Sequence, residues 1–91
     1  MKQDYDKIFN DVFSEYFTKI RTDRGWSRKV VADRLGLPAS TFTYYEKGLR
    51  DVPISVFKRM CLLYGLDFHQ VFKQLDDECT KREMRYEEVQ K

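Results

Sequence analysis

The chain has only two cysteines, Cys61 and Cys79, among its 91 residues. Two thiols do not make a disulfide framework, and neither cysteine has a second cysteine or a histidine nearby at metal-ligand spacing. The sequence therefore excludes a disulfide scaffold and a zinc module. Cys61 lies in the apolar run Met60-Cys61-Leu62-Leu63, which predicts a small buried side chain with a reduced thiol.

Long apolar runs are also missing. No stretch approaches the roughly 18 consecutive apolar residues that indicate a membrane-spanning helix, and no secretory signal peptide is recognisable. We therefore expect a soluble, cytoplasmic protein without a membrane partner.

The residues that carry catalysis are scarce. The single histidine, His69, has no paired nucleophile evident in the sequence. The acidic run Asp76-Asp77-Glu78 lacks the glycine-containing loop that calcium sites use and is more typical of a solvated face. We expect no enzyme activity, no catalytic residues, no metal site and no cofactor.

Proline and glycine are few, with two and four residues, and each falls between helical patterns. No run alternates with period two, so strands are not predicted. The pattern predicts an all-α fold of five helices. Their predicted bounds are about Asp4–Asp6 to Asp23, Arg28 to Leu35, about Ala39 to Lys47, Pro53 to Tyr64, and a last helix that follows the cap residue Asp67.

Apolar residues at three- and four-residue spacing predict the buried face of each helix. Ser27 and Asp67 are predicted N-caps, and Gly36 is predicted in the left-handed conformation that ends a helix. The predicted inward residues, in chain order, are Ile8, Phe9, Val12, Phe13, Tyr16, Phe17, Ile20, Val30, Val31, Ala32, Leu35, Phe42, Tyr45, Ile54, Phe57, Cys61, Leu62, Phe68, Val71, Phe72 and Leu75.

Positive charge is concentrated in the middle of the chain. The formal net charge is +2, but residues 1–18 carry −2, residues 19–73 carry +6 and residues 74–91 carry −2. We expect one domain over residues 1–75, followed by a charged segment over residues 76–91. That segment either extends the last helix, supported by the Glu78–Arg82 pair at i,i+4, or frays in solution.

The most informative stretch runs from Trp26 to Gly48. Two short helical patterns are joined there by a tight turn that contains Gly36, and the second pattern has few apolar and several small polar residues. A helix with so small an inward face has its other side free for an external partner. The stretch predicts a helix-turn-helix unit at about residues 27–47, whose second helix enters the DNA major groove.

The segment from about Phe17 to Phe72 resembles the Cro/CI-type (XRE) family of phage and bacterial repressors. The matching residues occur without gaps in spacing: Ile20-Arg21, Trp26-Ser27, Ala32, Leu35-Gly36-Leu37, Ser40-Thr41-Phe42-Thr43, Glu46-Lys47-Gly48 and Leu62 through Tyr64-Gly65-Leu66. The resemblance implies a lambda-repressor-like helix-turn-helix domain that binds double-stranded DNA.

The resemblance also implies roles for individual residues. An ion pair is expected between Arg21, late in the first helix, and Glu46, at the end of the third. Base edges are expected to be contacted by Ala39, Ser40, Thr43 and Tyr44. Phosphates are expected to be contacted by Arg28, Thr41, Lys47 and Arg50. Arg28 stands where the family commonly has glutamine, and the third helix lacks the Gln, Asn and Arg side chains best suited to bidentate base reading.

Two functions remain open from the sequence. The first is a sequence-specific transcriptional regulator, a repressor that acts as a homodimer, with the last helix and the tail as its dimer contact. The second is a protein-interaction module on the same fold, such as an antitoxin or an adaptor, because fold alone does not fix function. The many aromatic residues at the start of the chain would favour the second function if the core did not need them. Those residues are Tyr5, Phe9, Phe13, Tyr16 and Phe17.

Overall fold

The computed structural model describes the backbone of residues 5–90 and the side chains of residues 5–84. Over this range the chain forms five α-helices and no strand, which confirms the predicted all-α architecture. The helices are α1 Tyr5–Asp23, α2 Arg28–Leu35, α3 Ala39–Glu46, α4 Ile54–Tyr64 and α5 Phe68–Gln90. The part of the first predicted helix that precedes Tyr5 lies outside the described residues.

Local capping chemistry sets the helix ends. Ser27 Oγ accepts a hydrogen bond from the Val30 amide at 3.1 Å, and Asp67 Oδ1 accepts one from the Gln70 amide at 3.1 Å. Gly36 ends α2 with φ 70°, in the left-handed region. All three predicted caps are confirmed. Helix α3 ends one residue earlier than predicted, because Lys47 is its C-cap.

An aromatic cluster fills the centre of the core, where α1 meets α4. The ring centroids of Phe13 and Phe17 are 4.7 Å apart, and the Phe57 ring meets Phe13 edge-on at 5.4 Å. Tyr64 stacks on Phe17 at 5.9 Å. Such pairs add about 0.5–1.5 kcal/mol each to the effect of burial.

The core uses most of the aromatic residues near the chain start. Phe13 and Phe17 are fully buried, and Phe9 and Tyr16 pack against the buried residues. Tyr5 alone of the five predicted candidates is substantially exposed, at 40%. An aromatic surplus at this end of the chain therefore does not support a protein-interaction surface.

The predicted buried face of α4 is wrong at two positions. Ile54 is 66% exposed and Leu62 is 71% exposed. The helix instead buries Val56, Phe57, Met60, Cys61 and Tyr64. Apolar side chains occur almost all round this helix, so their spacing does not fix which side meets the core, and packing against α1 selects the face with the aromatic rings.

Two further predicted inward residues lie at the edge of the core. Val30 is 40% exposed, while its neighbours Val31 and Ala32 take the buried positions of α2. Phe72 is 44% exposed, and its ring lies 6.1 Å from that of Phe68 at the margin of the aromatic cluster.

Helix α5 continues through the charged segment instead of ending before it. Cys79 is fully buried. Arg82 Nη2 donates to Glu15 Oε1 at 2.7 Å, and its Nε donates to Glu78 Oε2 at 3.0 Å. The predicted Glu78–Arg82 pair is confirmed, and α5 is joined to α1 as far as Arg82. Tyr86 and Val89 lie outside the described side chains.

The loop between α3 and α4 lies directly on α1. Gly48 has φ +74°, and a Cβ atom placed on it would approach Asn10 O to 2.8 Å. Asn10 Nδ2 also donates to Asp51 Oδ1 at 2.8 Å. Glycine is required at position 48 both for its backbone conformation and for this close approach.

Burial makes both thiols poor nucleophiles. Loss of solvation raises the pKa of Cys61 to about 11, and burial also raises the pKa of Cys79. The predicted burial of Cys61 is confirmed. Among the described residues, no helix is both apolar and long enough to cross a lipid bilayer.

Candidate nucleic-acid interface

A completely buried carboxylate, Glu46, ends helix α3. Arg21 Nε donates to Glu46 Oε2 at 2.7 Å, and Arg28 Nε donates to Glu46 Oε1 at 2.7 Å. Each carboxylate oxygen therefore has a guanidinium partner. Charge-assisted hydrogen bonds of this length satisfy a buried charge that would otherwise be very costly.

The two arginines bring three helices together at this carboxylate. Arg21 belongs to the last turn of α1 and is only 8% exposed. Its Nη1 also donates to the Trp26 carbonyl at 2.8 Å, in the turn between α1 and α2. Arg28 opens α2. These hydrogen bonds to Glu46 thus fix the orientation of α3 relative to α1 and α2.

The contact between Arg28 and Glu46 was not predicted. The family resemblance implied that Arg28 contacts a DNA phosphate, whereas in the structure its Nε donates a hydrogen bond to Glu46 and the side chain remains 37% exposed. The indication in the sequence was the arginine itself, which stands where the family commonly has glutamine. Because Glu46 has two carboxylate oxygens, it can accept a hydrogen bond from Arg28 as well as from Arg21.

Trp26 supports this arrangement from the turn. Its ring stacks on Tyr64 at 5.8 Å, and the guanidinium of Arg34 lies 5.1 Å from its centroid. Burial raises the pKa of Tyr64 to about 12, with the charge of Glu46 as the second cause. Among the described side chains, Tyr64 Oη is a buried polar atom without a hydrogen-bond partner.

The opposite side of α3 is open to solvent. Ala39 and Ser40, in its first turn, are exposed, and Tyr44 is 43% exposed. Thr41 and Thr43 are half-buried, while Phe42 points into the core and is fully buried. Five of the eight residues of this short helix therefore carry a hydroxyl group and are exposed or half-buried: Ser40, Thr41, Thr43, Tyr44 and Tyr45.

Two cations lie at the C-terminal end of this open side. Lys47 and Arg50 are both exposed, and the Arg50 guanidinium carbon lies 5.1 Å from the centroid of the Tyr44 ring. Neither has a carboxylate partner within 4.0 Å among the side chains that the structure describes. The nearby Asp51 is held by Asn10 on α1.

This arrangement offers hydroxyl donors and acceptors and one amphipathic ring on α3, with two positive charges just beyond its C-terminal end. Hydroxyls suit the edges of DNA bases, and cations suit phosphates. Helices α2 and α3 are short and are joined by a tight turn. Glu46 attaches α3 to the other helices, and the opposite side of α3 is exposed to solvent. This arrangement defines a helix-turn-helix protein.

Comparison with known families agrees with the structure. A family model described as a helix-turn-helix domain matches residues 12–71. The chain therefore belongs to the helix-turn-helix domain family, and the match is consistent with the resemblance to Cro/CI-type repressors. The family indicates a DNA-binding regulator. Comparisons with curated proteins and with solved structures gave no significant match.

Proposed function

We propose that this protein is a sequence-specific transcriptional repressor that acts in the cytoplasm as a homodimer and reads the DNA major groove with α3. The observation that carries the proposal is the buried Glu46, which attaches α3 to α1 and α2 through Arg21 and Arg28. The opposite side of α3 is exposed to solvent. A rigid helix with a solvated polar face is what major-groove reading requires.

Base contacts are assigned to the open side of α3. Ser40 and Thr43 offer hydroxyls to base edges, and the Ala39 methyl or the Thr43 methyl fits against a thymine methyl. Tyr44 is the largest exposed side chain of the helix and reaches a base or a sugar. These short side chains do not form bidentate base contacts, so DNA shape and the pairing of two half-sites contribute to specificity.

Phosphate contacts are assigned to Arg28, Thr41, Lys47 and Arg50. The charge of Arg28 is partly compensated by Glu46, at 2.7 Å, whereas Lys47 and Arg50 have no carboxylate neighbour among the described side chains. Lys47→Ala should therefore lower the salt dependence of DNA binding by about one unit of slope. Arg28→Ala should lower it less and should also reduce stability.

The homodimer would place two copies of α3 one helical turn apart, at ~34 Å, on a two-fold symmetric operator. Binding there would repress transcription by blocking the polymerase. The dimer contact is proposed to include α5 beyond the residues that pack on α1. Sedimentation of the full chain should give the mass of a dimer at micromolar concentration.

One observation favours a second candidate, a protein-interaction module such as an antitoxin or an adaptor. Three large aliphatic side chains outside α3 are highly exposed: Leu49 at 68%, Ile54 at 66% and Leu62 at 71%. Exposed apolar side chains of this kind occur at protein contacts when they form a continuous patch.

One experiment separates the two functions. The purified chain is titrated with the DNA upstream of its own gene and with a scrambled duplex of the same composition, over a series of salt concentrations. The repressor function requires tighter binding to the upstream DNA, lost steeply as salt rises. Equal, weak binding to both duplexes would contradict it and favour the interaction module.

A further inference from the structure

The Tyr44–Arg50 pair stands out among the aromatic contacts because it lies on the open side of α3. The Arg50 guanidinium carbon is 5.1 Å from the centroid of the Tyr44 ring. Tyr44 is 43% exposed and Arg50 is exposed as well, so core packing does not force the two together. The contact is a cation–π interaction at the surface.

Most other arginines whose side chains are described donate hydrogen bonds to acceptors within the protein. Arg21, Arg28 and Arg82 donate to carboxylates. Arg24 and Arg59 donate to the carbonyl oxygens of Tyr64 and Leu35, at the ends of α4 and α2. Arg50 has no such acceptor among the described residues. The carboxylate next to it in sequence, that of Asp51, accepts a hydrogen bond from Asn10. The N–H donors of the Arg50 guanidinium are therefore available to an acceptor outside the protein.

We propose that Tyr44 is a positioning residue for Arg50, and that Arg50 makes a bidentate contact with DNA at the C-terminal end of α3. This inference rests on the proposed function. The planar guanidinium matches a pair of acceptor atoms, either two phosphate oxygens or O6 and N7 of a guanine. The ring restricts the rotamers of Arg50 before binding, which lowers the entropy lost when the contact forms.

The same geometry limits what Tyr44 itself does. One face of its ring is covered by Arg50, so that face does not stack on a base or a sugar. The covered face of the ring therefore contributes to affinity through Arg50, whereas the hydroxyl and the other face stay available to a base or a sugar, so the two side chains are not independent. Their effects on binding should be coupled, as for residues in direct contact.

A double-mutant cycle on DNA binding tests this coupling. In the unchanged background, Arg50→Ala should weaken binding to the upstream DNA by about tenfold and lower the salt slope by about one unit. In a Tyr44→Leu background the same change should cost less than about threefold. Tyr44→Phe, which keeps the ring face, should preserve the full effect of Arg50→Ala.

Lys47 supplies a matched control. It is an exposed cation at the same end of α3, and among the described side chains the cation–π contact with Tyr44 is made by Arg50 and not by Lys47. Lys47→Ala should weaken binding by the same factor with Tyr44 and with Leu at position 44. Thermal midpoints of all variants should match that of the unchanged chain, because the substituted side chains are at the surface.

DNA analogues identify the acceptor. If Arg50 contacts a guanine, a single 7-deazaguanine should weaken binding of the unchanged chain and leave Arg50→Ala unaffected. If it contacts a phosphate, a single neutral methylphosphonate linkage should do the same. Either result shows that Arg50 contacts DNA and supports that half of the proposal, while the double-mutant cycle tests the positioning role of Tyr44.

Two results would overturn the proposal and are distinguishable. If the unchanged chain does not prefer the upstream DNA, the proposed function fails and this inference fails with it. If the chain prefers that DNA but Arg50→Ala costs the same factor with Tyr44 and with Leu at position 44, only the positioning role of Tyr44 is wrong.

Discussion

At the scale of single residues, the buried carboxylate of Glu46 has a large expected effect on stability. Glu46→Ala leaves Arg21, only 8% exposed, without its carboxylate, and Arg28 also loses its partner. Because an uncompensated buried charge is costly, we expect the free energy of unfolding to fall by about 3–5 kcal/mol. Urea denaturation measures the change.

The exposed Lys29–Asp33 pair, with 3.6 Å between Nζ and Oδ2, is the matched control. Asp33→Ala should change the free energy of unfolding by less than about 0.5 kcal/mol. Equal effects of the two substitutions would show that Glu46 does not hold α3 in place.

Tyr64 gives the second prediction at this scale. Its hydroxyl is buried and, among the described side chains, has no hydrogen-bond partner, so Tyr64→Phe removes an unsatisfied polar group. We expect the variant to be more stable than the unchanged chain by about 1 kcal/mol near neutral pH. A thermal or urea melt measures the difference, and a less stable variant would contradict the expectation.

The pH dependence of Tyr64 follows from the same burial. The pKa of Tyr64 is about 12 in the folded chain, against an ordinary value of 10.0, first because of desolvation and then because of Glu46. The folded state therefore keeps this proton more tightly than the unfolded state. The resulting stability is fully present below pH 10 and is lost as the pH rises towards about 12.

Comparison with Tyr64→Phe isolates the effect of the Tyr64 hydroxyl from every other change in charge over the same pH range. Urea midpoints of the two chains should be measured at steps from pH 9 to pH 12. The unchanged chain should lose more stability than the variant, by up to about 2–3 kcal/mol. Parallel losses in the two chains would contradict the raised pKa.

At the scale of helices and turns, the α3–α4 loop is held at Gly48. Gly48→Ala would bring Cβ to 2.8 Å from the Asn10 carbonyl oxygen, in addition to the backbone penalty at φ +74°. Gly65→Ala has a similar φ of +72° but places no atom within 4 Å of the new Cβ. We expect a loss of about 1–2 kcal/mol at Gly65 and at least about 3 kcal/mol at Gly48. Urea denaturation of the two variants, compared with the unchanged chain, provides the test.

Helix ends were predictable from the sequence because capping is local. Ser27 and Asp67 accept bonds from amides three residues ahead, and Gly36 adopts a conformation that few other residues tolerate. The buried face of α4 was not predictable in full, because Ile54 and Leu62 are as apolar as the side chains that the core selects.

The candidate site shows the same division between local and distant contacts. The open side of α3 followed from its short apolar pattern and from the family resemblance. The role of Arg28 did not, since its partner Glu46 is 18 positions further along the chain. The Tyr44–Arg50 contact depends on the path of the loop after α3, which no spacing rule specifies.

At the scale of the whole molecule, α5 decides which shortened chains fold. A chain that ends after Lys73 lacks Leu75 and Cys79, which are 2% and 0% exposed in the core, and it should not fold. A chain that ends after Met84 keeps these residues and the Arg82–Glu15 pair at 2.7 Å. It should therefore fold, and each subunit should keep the DNA-binding surface of α3.

Sedimentation of that second chain tests the proposed dimer contact. If α5 beyond Met84 joins the two copies, the shortened chain should sediment as a monomer while its circular dichroism spectrum stays helical. A folded chain of dimer mass would place the contact elsewhere on the protein.

The shared carboxylate of Glu46 has a consequence for hydrogen exchange. Helix α3 has only eight residues and does not persist in water by itself, so the protection of its amide protons depends on its attachment to α1 and α2, which Glu46 makes through both arginines. The slow amides of α3, of α2 and of the last turn of α1 should therefore exchange through one common opening and at one rate. The surface that we assign to DNA is thus expected to open only when the three helices separate together.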